Sequence, residues 1–390
     1  MTESAIVVAG HCCLDVIPSF APGADGTLRP GKLVDVGPAL LAPGGAVSNV
    51  GLALHRLGTP ARLLGKVGDD QFGQALLALY AAHDPALSQG MIVAPGEPTA
   101  YSVVISPPGS DRIFLHCPGA NHTFSAADLS EERLAGARIF SFGYPPLMRR
   151  MYQDGGEELA AILRLALSRG LLTALDMALP DPASEAGQVD WRAILQRALP
   201  QVDFFLPSIE EILFMLDRAE YEALLARHGL ERLSAGLDGG LLGRIADQLL
   251  EWGASIVGLK LGDQGLYLRT AANISRLALL GETMPARWAN RELLVPCFQV
   301  EAAGTTGSGD ATIAGLLTAL LQGMAPEAAV RSAVAVGACS VEQLDATSGI
   351  PTWQAVQERI AADWSSAPSR IALTGWQQDG NNVWRSPRDV

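Results

Sequence analysis

The chain is poor in cysteine, in aromatic residues and in positive charge for its length of 390 residues. Its five cysteines include the adjacent Cys12 and Cys13 but no pair with zinc-ligand spacing, which predicts reduced thiols in a cytoplasmic protein. There are 28 Lys and Arg residues against 41 Asp and Glu residues, so the formal net charge is −13. This charge disfavours nucleic acid and anionic membranes as partners.

Long apolar runs are also missing. The first apolar stretch, Ala5–Ala9, is too short for a signal peptide, and no window is long enough to cross a bilayer. Hydrophobic residues nevertheless make up 48% of the chain, which is enough for a large core. We therefore expect a soluble cytoplasmic protein.

Two common phosphate-binding motifs are absent. No GxxxxGK[ST] run occurs, because Gly65-Lys66 has Pro60 rather than glycine at the required upstream position. The first predicted strand ends in Gly10-His11-Cys12-Cys13 and not in the glycine fingerprint of a dinucleotide-binding fold. P-loop enzymes and hydride-transfer enzymes are both disfavoured.

A different glycine-rich segment, Gly304–Asp310, runs directly into an apolar helix pattern. Small residues let backbone N–H groups turn inward together, and a helix N-terminus adds partial positive charge, so the segment predicts an anion cradle. A carboxylate at its edge would repel the anion unless Asp310 takes the proton from a hydroxyl that attacks a phosphoryl group. The segment predicts a kinase of small alcohols; considered alone, a tight loop without a ligand is the alternative.

A second cluster of small and polar residues lies nearer the N-terminus. Gly44 and Gly45 precede a helix pattern whose first turn carries Asn49, and its amide suits a polyol because it both donates and accepts. The alternative for Asn49 is a hydrogen bond to its own backbone. Asp15, a few residues past the first strand, is able to accept sugar hydroxyls or to cap a turn.

Strand and helix patterns alternate along the chain, which predicts a mainly parallel sheet covered on both faces. The predicted strands are Ile6–Ala9, Arg62–Lys66, Ser102–Ile105, Ile113–His116, Ile139–Phe142, Leu172–Asp176, Phe204–Leu206, Ile256–Lys260 and Leu266–Leu268. The main predicted helices are Val47–Leu57, Gln71–Ala82, Gly156–Leu167, Leu241–Trp252, Asp310–Gln322 and Pro326–Leu344. A turn-prone segment at residues 107–110 predicts that Ser102–Ile105 and Ile113–His116 form a hairpin, whereas residues 275–296 read as an irregular polar stretch.

In order along the chain, these segments resemble the PfkB carbohydrate kinase family. The N-terminal signature is matched by Gly44–Gly58 and Val67–Gly73, and the C-terminal signature by Gly304–Asp310. The resemblance implies a ribokinase-like three-layer αβα sandwich with a mainly parallel central sheet. The kinase domain would span residues 1–365, with a small β lid from about 11–43 and 98–120, and residues 366–390 would form a C-terminal extension.

The resemblance also implies roles for individual residues. Asp310 corresponds to the catalytic base, and the anion hole is formed by Gly307, Ser308 and Gly309. The residues that would hold the acceptor hydroxyls are Asp15, Gly44, Gly45 and Asn49. The residues that would border the nucleotide are Lys260, Gly262, Gly265, Thr305 and Ser348; an exposed strand-end lysine is the alternative for Lys260.

Three departures from the family pattern qualify these roles. Ser208 replaces an asparagine that helps to organise magnesium, but Glu211 keeps the metal-associated carboxylate, so use of Mg²⁺ is expected. Gly304 replaces an acidic residue that commonly helps to bind a monovalent cation, which counts against such a cofactor although the family allows one. Ala46 stands where ribokinases carry lysine, which argues against assuming ribose as the substrate.

The expected reaction is transfer of the γ-phosphoryl group of ATP to a primary hydroxyl of a small sugar or sugar-like alcohol. A nucleoside kinase of the same fold is one alternative, although aromatic residues make up only 6% of the chain. A non-catalytic sugar-binding regulator on this scaffold is another. Because lids of this type often pair across a two-fold axis, we expect a homodimer.

Overall fold

The computed structural model describes residues 5–20, 30–106, 113–229, 233, 234 and 236–389. The predicted turn at residues 107–110 and part of the predicted lid, residues 21–29, lie outside these ranges. Within them, no helix is long and apolar enough to span a membrane.

The strands largely follow the predicted apolar runs. They are β1 Ile6–Gly10, β2 Cys13–Pro18, β3 Ala39–Gly44, β4 Ala61–Leu64, β5 Lys66–Gly68, β6 Ile92–Ala94, β7 Tyr101–Ile105, β8 Ile113–Cys117, β9 Ile139–Gly143, β10 Leu172–Leu175, β11 Phe204–Phe205, β12 Ile256–Lys260, β13 Leu266–Thr270, β14 Glu292–Val295, β15 Gln377–Gln378 and β16 Trp384–Arg385.

The helices of the described residues include all six main predicted ones, to within a few residues. They are α1 Ala46–Arg56, α2 Gln71–His83, α3 Pro85–Ser88, α4 Glu131–Leu134, α5 Arg149–Tyr152, α6 Glu157–Ser168, α7 Glu185–Gln188, α8 Trp191–Ala198, α9 Ile209–Leu216, α10 Arg218–His228, α11 Gly239–Glu251, α12 Met284–Trp288, α13 Ser308–Leu321, α14 Pro326–Ser340 and α15 Trp353–Ala361. Helix α2 begins at Asp70, whose side chain accepts a hydrogen bond from the backbone N–H of Gly73.

The central sheet has the order β15-β16-β14-β13-β12-β11-β10-β9-β1-β4 in the described part of the chain. Six neighbouring strands, from β4 to β12, run parallel, and the remaining four add antiparallel at the β12 edge. Connections through helices bring the carboxyl ends of the parallel strands to one edge, where ligands of such sheets bind.

Helices cover both faces of this sheet, as the alternation along β1 demonstrates. Ile6 and Val8 belong to one apolar core with residues of α1, α13 and α14, whereas Val7 and Ala9 belong to a second core with residues of α6, α8 and α11. Successive strand residues point to opposite faces. The predicted three-layer αβα architecture is therefore correct.

A second, four-stranded sheet with the order β3-β2-β7-β8 stands apart from the first, and we call it the lid sheet. It unites the two segments that sequence analysis assigned to a β layer, because β2 pairs antiparallel with β3 and parallel with β7. Strands β7 and β8 form the predicted antiparallel hairpin.

The C-terminal residues extend the central sheet, which the sequence did not predict. Strand β16 pairs with β14, and β14 lies within residues 275–296, so the irregular assignment of that stretch was wrong. The assignment failed because the stretch looks polar in sequence, whereas its acidic residue Glu292 is only 1% exposed in β14. Arg388 donates to both of its carboxylate oxygens, at 2.8 and 2.7 Å. The sequence around Glu292 and the sequence around Arg388 give no sign that the two residues pair.

Replacing Arg388 with methionine should lower the free energy of unfolding by about 1–3 kcal/mol, because the buried carboxylate of Glu292 loses its charged donor. Urea denaturation measures the change. Arg164→Met is the matched control, since Arg164 and Glu157 form an ion pair exposed on both sides, and its cost should stay below about 1 kcal/mol. Equal losses in the two variants would contradict the structural role of Arg388.

Candidate active site

The glycine-rich segment forms the turn into α13. Gly307 caps this helix with φ of 73°, and a Cβ at that position would lie 2.5 Å from the Cβ of Ala346. Both the left-handed backbone and the crowding require glycine. The N–H of Ser308 donates to the carbonyl of Thr305 at 3.3 Å, while the next N–H groups belong to the first turn, which has no intrahelical acceptor for them. These amides are therefore the ones available to an anion.

Asp310 lies in this first turn and is 2% exposed. Its Oδ2 accepts hydrogen bonds from Asn49 Nδ2 at 2.9 Å and from Tyr144 Oη at 2.7 Å. Its Oδ1 is buried and has no partner among the described residues. Burial raises the pKa of Asp310, against the attraction of the nearby Lys260 ammonium and the two hydrogen bonds. One carboxylate oxygen is thus fixed and the other is free to accept a proton.

Lys260 ends β12 and is not an exposed lysine. Its Nζ lies 2.5 Å from Oδ1 of Asp176, and the two side chains are 12% and 4% exposed. Burial lowers the pKa of Lys260, but attraction to Asp176, Glu211 and Asp310 outweighs it, and the net shift is upward. A Cβ on Gly309 would lie 3.5 Å from this Nζ, so a fixed ammonium stands beside the glycine turn.

A cavity of about 600 Å³ opens in front of these groups. Its walls include four of the five residues expected to border the nucleotide, namely Lys260, Gly262, Gly265 and Thr305, together with the expected anion hole Gly307–Gly309, the expected base Asp310 and the expected metal carboxylate Glu211. This part of the lining is charged and rich in backbone amides, as a polyphosphate requires.

Apolar residues also line the cavity. They include Val334 and Ala338 of α14 and Val341. Phe298 is another, and it stacks on Trp364 with ring centroids 4.4 Å apart. A flat apolar ring fits such a wall.

The carboxylates in and beside the cavity suit a magnesium ion held jointly with phosphates. Glu211 lines the cavity, and Oδ2 of Asp176, whose Oδ1 pairs with Lys260, is buried without a hydrogen-bond partner within the described ranges. Glu211 also accepts from the backbone N–H of Ser208 at 2.7 Å, which fixes its position. No cluster of three or more His, Cys, Asp or Glu in the described residues could hold a metal unaided. Mg²⁺ commonly binds through one or two carboxylates plus phosphates, so this donor set fits it.

The predicted acceptor residues are connected by close contacts. A Cβ on Gly44 would lie 2.3 Å from Oδ2 of Asp15, so this carboxylate rests directly against the glycine pair. Gly45, with φ of 84°, caps α1, and Asn49 follows one turn later and reaches Asp310. The Asn49 amide thus bonds the carboxylate rather than its own backbone. Asp15 lies within β2, so it does not cap a turn.

A sequence model described as pfkB family carbohydrate kinase matches residues 4–353. The chain belongs to this family. It is 26% identical over 366 residues to Fructokinase-1 of Oryza sativa subsp. japonica, covering 90% of this chain and 96% of the plant protein. The chain is thus a sugar kinase, an enzyme that phosphorylates an alcohol group of a small sugar.

Solved structures with low sequence identity share the fold. Fructokinase with bound ATP from Xylella fastidiosa has a TM-score of 0.68 and 19% identity, covering 92% of this chain and 99% of that chain. The nucleoside kinase of Methanocaldococcus jannaschii, a member of the ribokinase family, has a TM-score of 0.61 and 17% identity, with coverage of 92% and 99%. These similarities establish the ribokinase-like fold of the kinase.

One predicted nucleotide residue lies elsewhere. Ser348 is exposed on the loop after α14 and is not among the residues that line the cavity. Its backbone N–H and hydroxyl both donate to Asp345, and its carbonyl accepts from Arg56. In this conformation Ser348 shapes the loop rather than the cavity.

Two residues of the kinase site escaped sequence analysis. Tyr144, which holds Asp310, has a left-handed backbone with φ of 63°, a strain typical of functional positions in non-glycine residues. Asp176 pairs with Lys260. Both directly follow parallel strands, Tyr144 after β9 and Asp176 after β10. Because ligands of parallel sheets bind at the carboxyl ends of the strands, this position was the signal that would have identified them.

Proposed function

We propose that the kinase transfers the γ-phosphoryl group of ATP to a primary hydroxyl of a small sugar, with Asp310 as the general base. The observation that carries the proposal is the asymmetric environment of the Asp310 carboxylate. Asn49 and Tyr144 hold Oδ2, the buried Oδ1 has no hydrogen-bond partner in the described part of the chain, and Asp310 lines a cavity together with the amide-rich turn. A base within reach of a hydroxyl and beside an anion site is what phosphoryl transfer needs.

Each group has a distinct part in this proposal. Asp15 and the amide of Asn49 orient the sugar hydroxyls, and Asp310 accepts the proton of the attacking one. The N–H groups at the start of α13 and the Lys260 ammonium offset the charge that develops on the phosphoryl oxygens. Magnesium, when bound with ATP near Glu211, would neutralise part of that charge. ATP use is also supported by the ATP-bound fructokinase that shares this fold.

Fructose is the first acceptor to test, because the plant relative is named a fructokinase. The experiment is ADP release by the purified protein with a panel of fructose, glucose, ribose and adenosine. We expect release that depends on the sugar, with a hexose giving the highest kcat/KM. A higher value for adenosine would replace the sugar assignment with a nucleoside one, and no acceptor-dependent release with any compound would contradict catalysis.

The lid sheet supports a homodimer. Leu41, Val16, Val103 and Leu115 are neighbours across its four strands, so they form one apolar row on a single face. Leu41 is 42% exposed and Leu115 is 55% exposed. This face is opposite the one that carries Asp15 and Ser102, because alternate strand residues point to opposite faces. A second copy is able to cover the row without blocking the acceptor residues.

Replacing Leu115 with serine should therefore turn a dimer into a monomer at micromolar concentration, as measured by size-exclusion chromatography with light scattering. Leu279→Ser is the matched control, since Leu279 is 48% exposed in a different part of the molecule. We expect the control to stay dimeric. A monomeric wild-type protein, or a dimer unaffected by Leu115→Ser, would contradict pairing through this row.

A further inference from the structure

His11 is a buried polar residue that the proposed reaction does not yet use. It follows β1 directly and is 2% exposed. Its backbone is fixed, because its N–H donates to the carbonyl of Gly143 and its carbonyl accepts from the N–H of Val47. Its ring Nδ1 has no hydrogen-bond partner among the described residues. An unpaired buried nitrogen of this kind is costly unless a ligand satisfies it.

The unpaired nitrogen is directed at the acceptor residues. A Cβ on Gly45 would lie 2.5 Å from Nδ1 of His11, so the ring edge contacts the cap of α1. Tyr144, which holds Asp310, has its ring centroid 6.2 Å from that of His11. His11 is therefore placed between the glycine pair and the residue that supports the base.

The second ring nitrogen of His11 connects it to the lid sheet. Nε2 lies 3.3 Å from Nε2 of His116 in β8, and Nδ1 of His116 lies 3.0 Å from the Ser102 hydroxyl. From Ser102 the chain of contacts continues to Cys13 at 3.7 Å, whose thiol donates to Asp15 at 3.3 Å. A hydrogen-bonded chain thus runs from His11 across the lid sheet to the acceptor carboxylate.

We propose that His11 is a further acceptor-binding residue, whose Nδ1 pairs with an uncharged hydroxyl of the sugar, and that His116 positions its ring. The proposal rests on the proposed function. It adds His11 to the acceptor-binding residues and an uncharged hydroxyl as the ligand group that His11 binds. A hydroxyl both donates and accepts, so it satisfies Nδ1 in either tautomer.

The surroundings favour an uncharged ligand group over a phosphate. Burial, followed by repulsion from His116 and His122, lowers the pKa of His11, so its ring is neutral near pH 7. Asp15, at the other end of the hydrogen-bonded chain, adds a carboxylate to the acceptor site, and a carboxylate repels an anion. We therefore expect the unphosphorylated sugar to be a better acceptor than the same sugar carrying a phosphate at another position.

The test compares His11→Leu, which removes the nitrogen, with His11→Asn, whose amide places a polar atom near the position of Nδ1. With the best sugar of the acceptor panel, His11→Leu should raise the acceptor KM about tenfold, the loss of one buried hydrogen bond, while the KM for ATP stays unchanged. His11→Asn should recover most of the acceptor affinity. For the positioning residue, His116→Leu should raise the acceptor KM with little change in kcat, and His116→Gln should restore it.

A measurement on the unaltered enzyme covers the case in which a variant does not fold. Imidazole ¹⁵N resonances are recorded with and without the same sugar, and the sugar should shift the Nδ1 resonance of one buried histidine. An unchanged spectrum at saturating sugar would overturn the proposal, as would an unchanged acceptor KM in folded His11→Leu.

Failure of this inference is distinguishable from failure of the proposed function. If Asp310→Asn abolishes turnover while His11→Leu keeps the wild-type acceptor KM, the base assignment stands and the role of His11 is wrong. A phosphorylated sugar with the higher kcat/KM would likewise overturn the assignment of an uncharged ligand group.

Discussion

Replacing Asp310 with asparagine is expected to lower kcat by roughly 100- to 10,000-fold, the usual contribution of a general base. Asparagine keeps the size of the side chain and the contacts with Asn49 and Tyr144 remain possible, so the protein should fold and bind ATP. Steady-state ADP release gives kcat, and calorimetric titration with ATP gives the binding constant.

The control for this substitution is Asp154→Asn. Asp154 is exposed and has a left-handed backbone with φ of 51°, a conformation that asparagine also tolerates. Its kcat should stay within about twofold of wild type, as expected for a surface substitution away from the site. A rate for Asp310→Asn within tenfold of wild type would show that another group accepts the proton.

The pH profile of kcat offers an independent check on the same carboxylate. The base must be ionised to work, and burial raises the pKa of Asp310. Activity should therefore fall as pH falls through this raised pKa, with a midpoint above the value of about 3.9 of an ordinary aspartate. The residual rate of Asp310→Asn should lack this acid limb. The same limb in both proteins would assign it to a different group.

The second large effect is expected at Lys260. Replacing it with methionine removes the partner of Asp176, which is 4% exposed, and leaves a buried carboxylate without compensation. Breaking a buried ion pair in this way costs about 3–5 kcal/mol of unfolding free energy. The lost ammonium should also raise the KM for ATP about tenfold or more, the value of a hydrogen bond to a charged group. Urea denaturation and steady-state kinetics measure the two effects.

The double variant Lys260→Met/Asp176→Asn separates stability from nucleotide binding. Neutralising Asp176 removes the uncompensated charge, so most of the stability should return, while the KM for ATP should remain high because the ammonium is still missing. If the double variant also recovered the ATP affinity, Lys260 would act only as a structural partner of Asp176.

The sequence was sufficient for the features that depend on local pattern. The alternation of strands and helices identified the layered fold, since β1, β9 and β12 are predominantly apolar and flanked by helix patterns. The glycine turn before Asp310 was recognisable because only small residues permit its backbone. The family resemblance assigned Asn49 to the acceptor and Asp310 to the base, but it did not predict the hydrogen bond between them, which joins residues 261 positions apart.

Long-range pairings of single side chains were not accessible from the sequence. Tyr144 reaches Asp310 across 166 positions and Asp176 reaches Lys260 across 84, and no spacing rule connects them. Glu292 misled the assignment of β14, because its buried charge is compensated by Arg388 at the far end of the chain. The unpaired nitrogen of His11 is a property of packing, which composition and periodicity do not reveal.

The most direct test of the account is a crystal structure of the kinase with its preferred sugar and a non-hydrolysable ATP analogue. The measurement is the distance from the attacking hydroxyl oxygen to Oδ1 of Asp310, the carboxylate oxygen that has no hydrogen-bond partner among the described residues. The account predicts about 2.6–3.2 Å, with the γ-phosphate of the analogue at the start of α13. A sugar bound outside the reach of residue 310, or a phosphate tail bound away from the glycine turn, would contradict it.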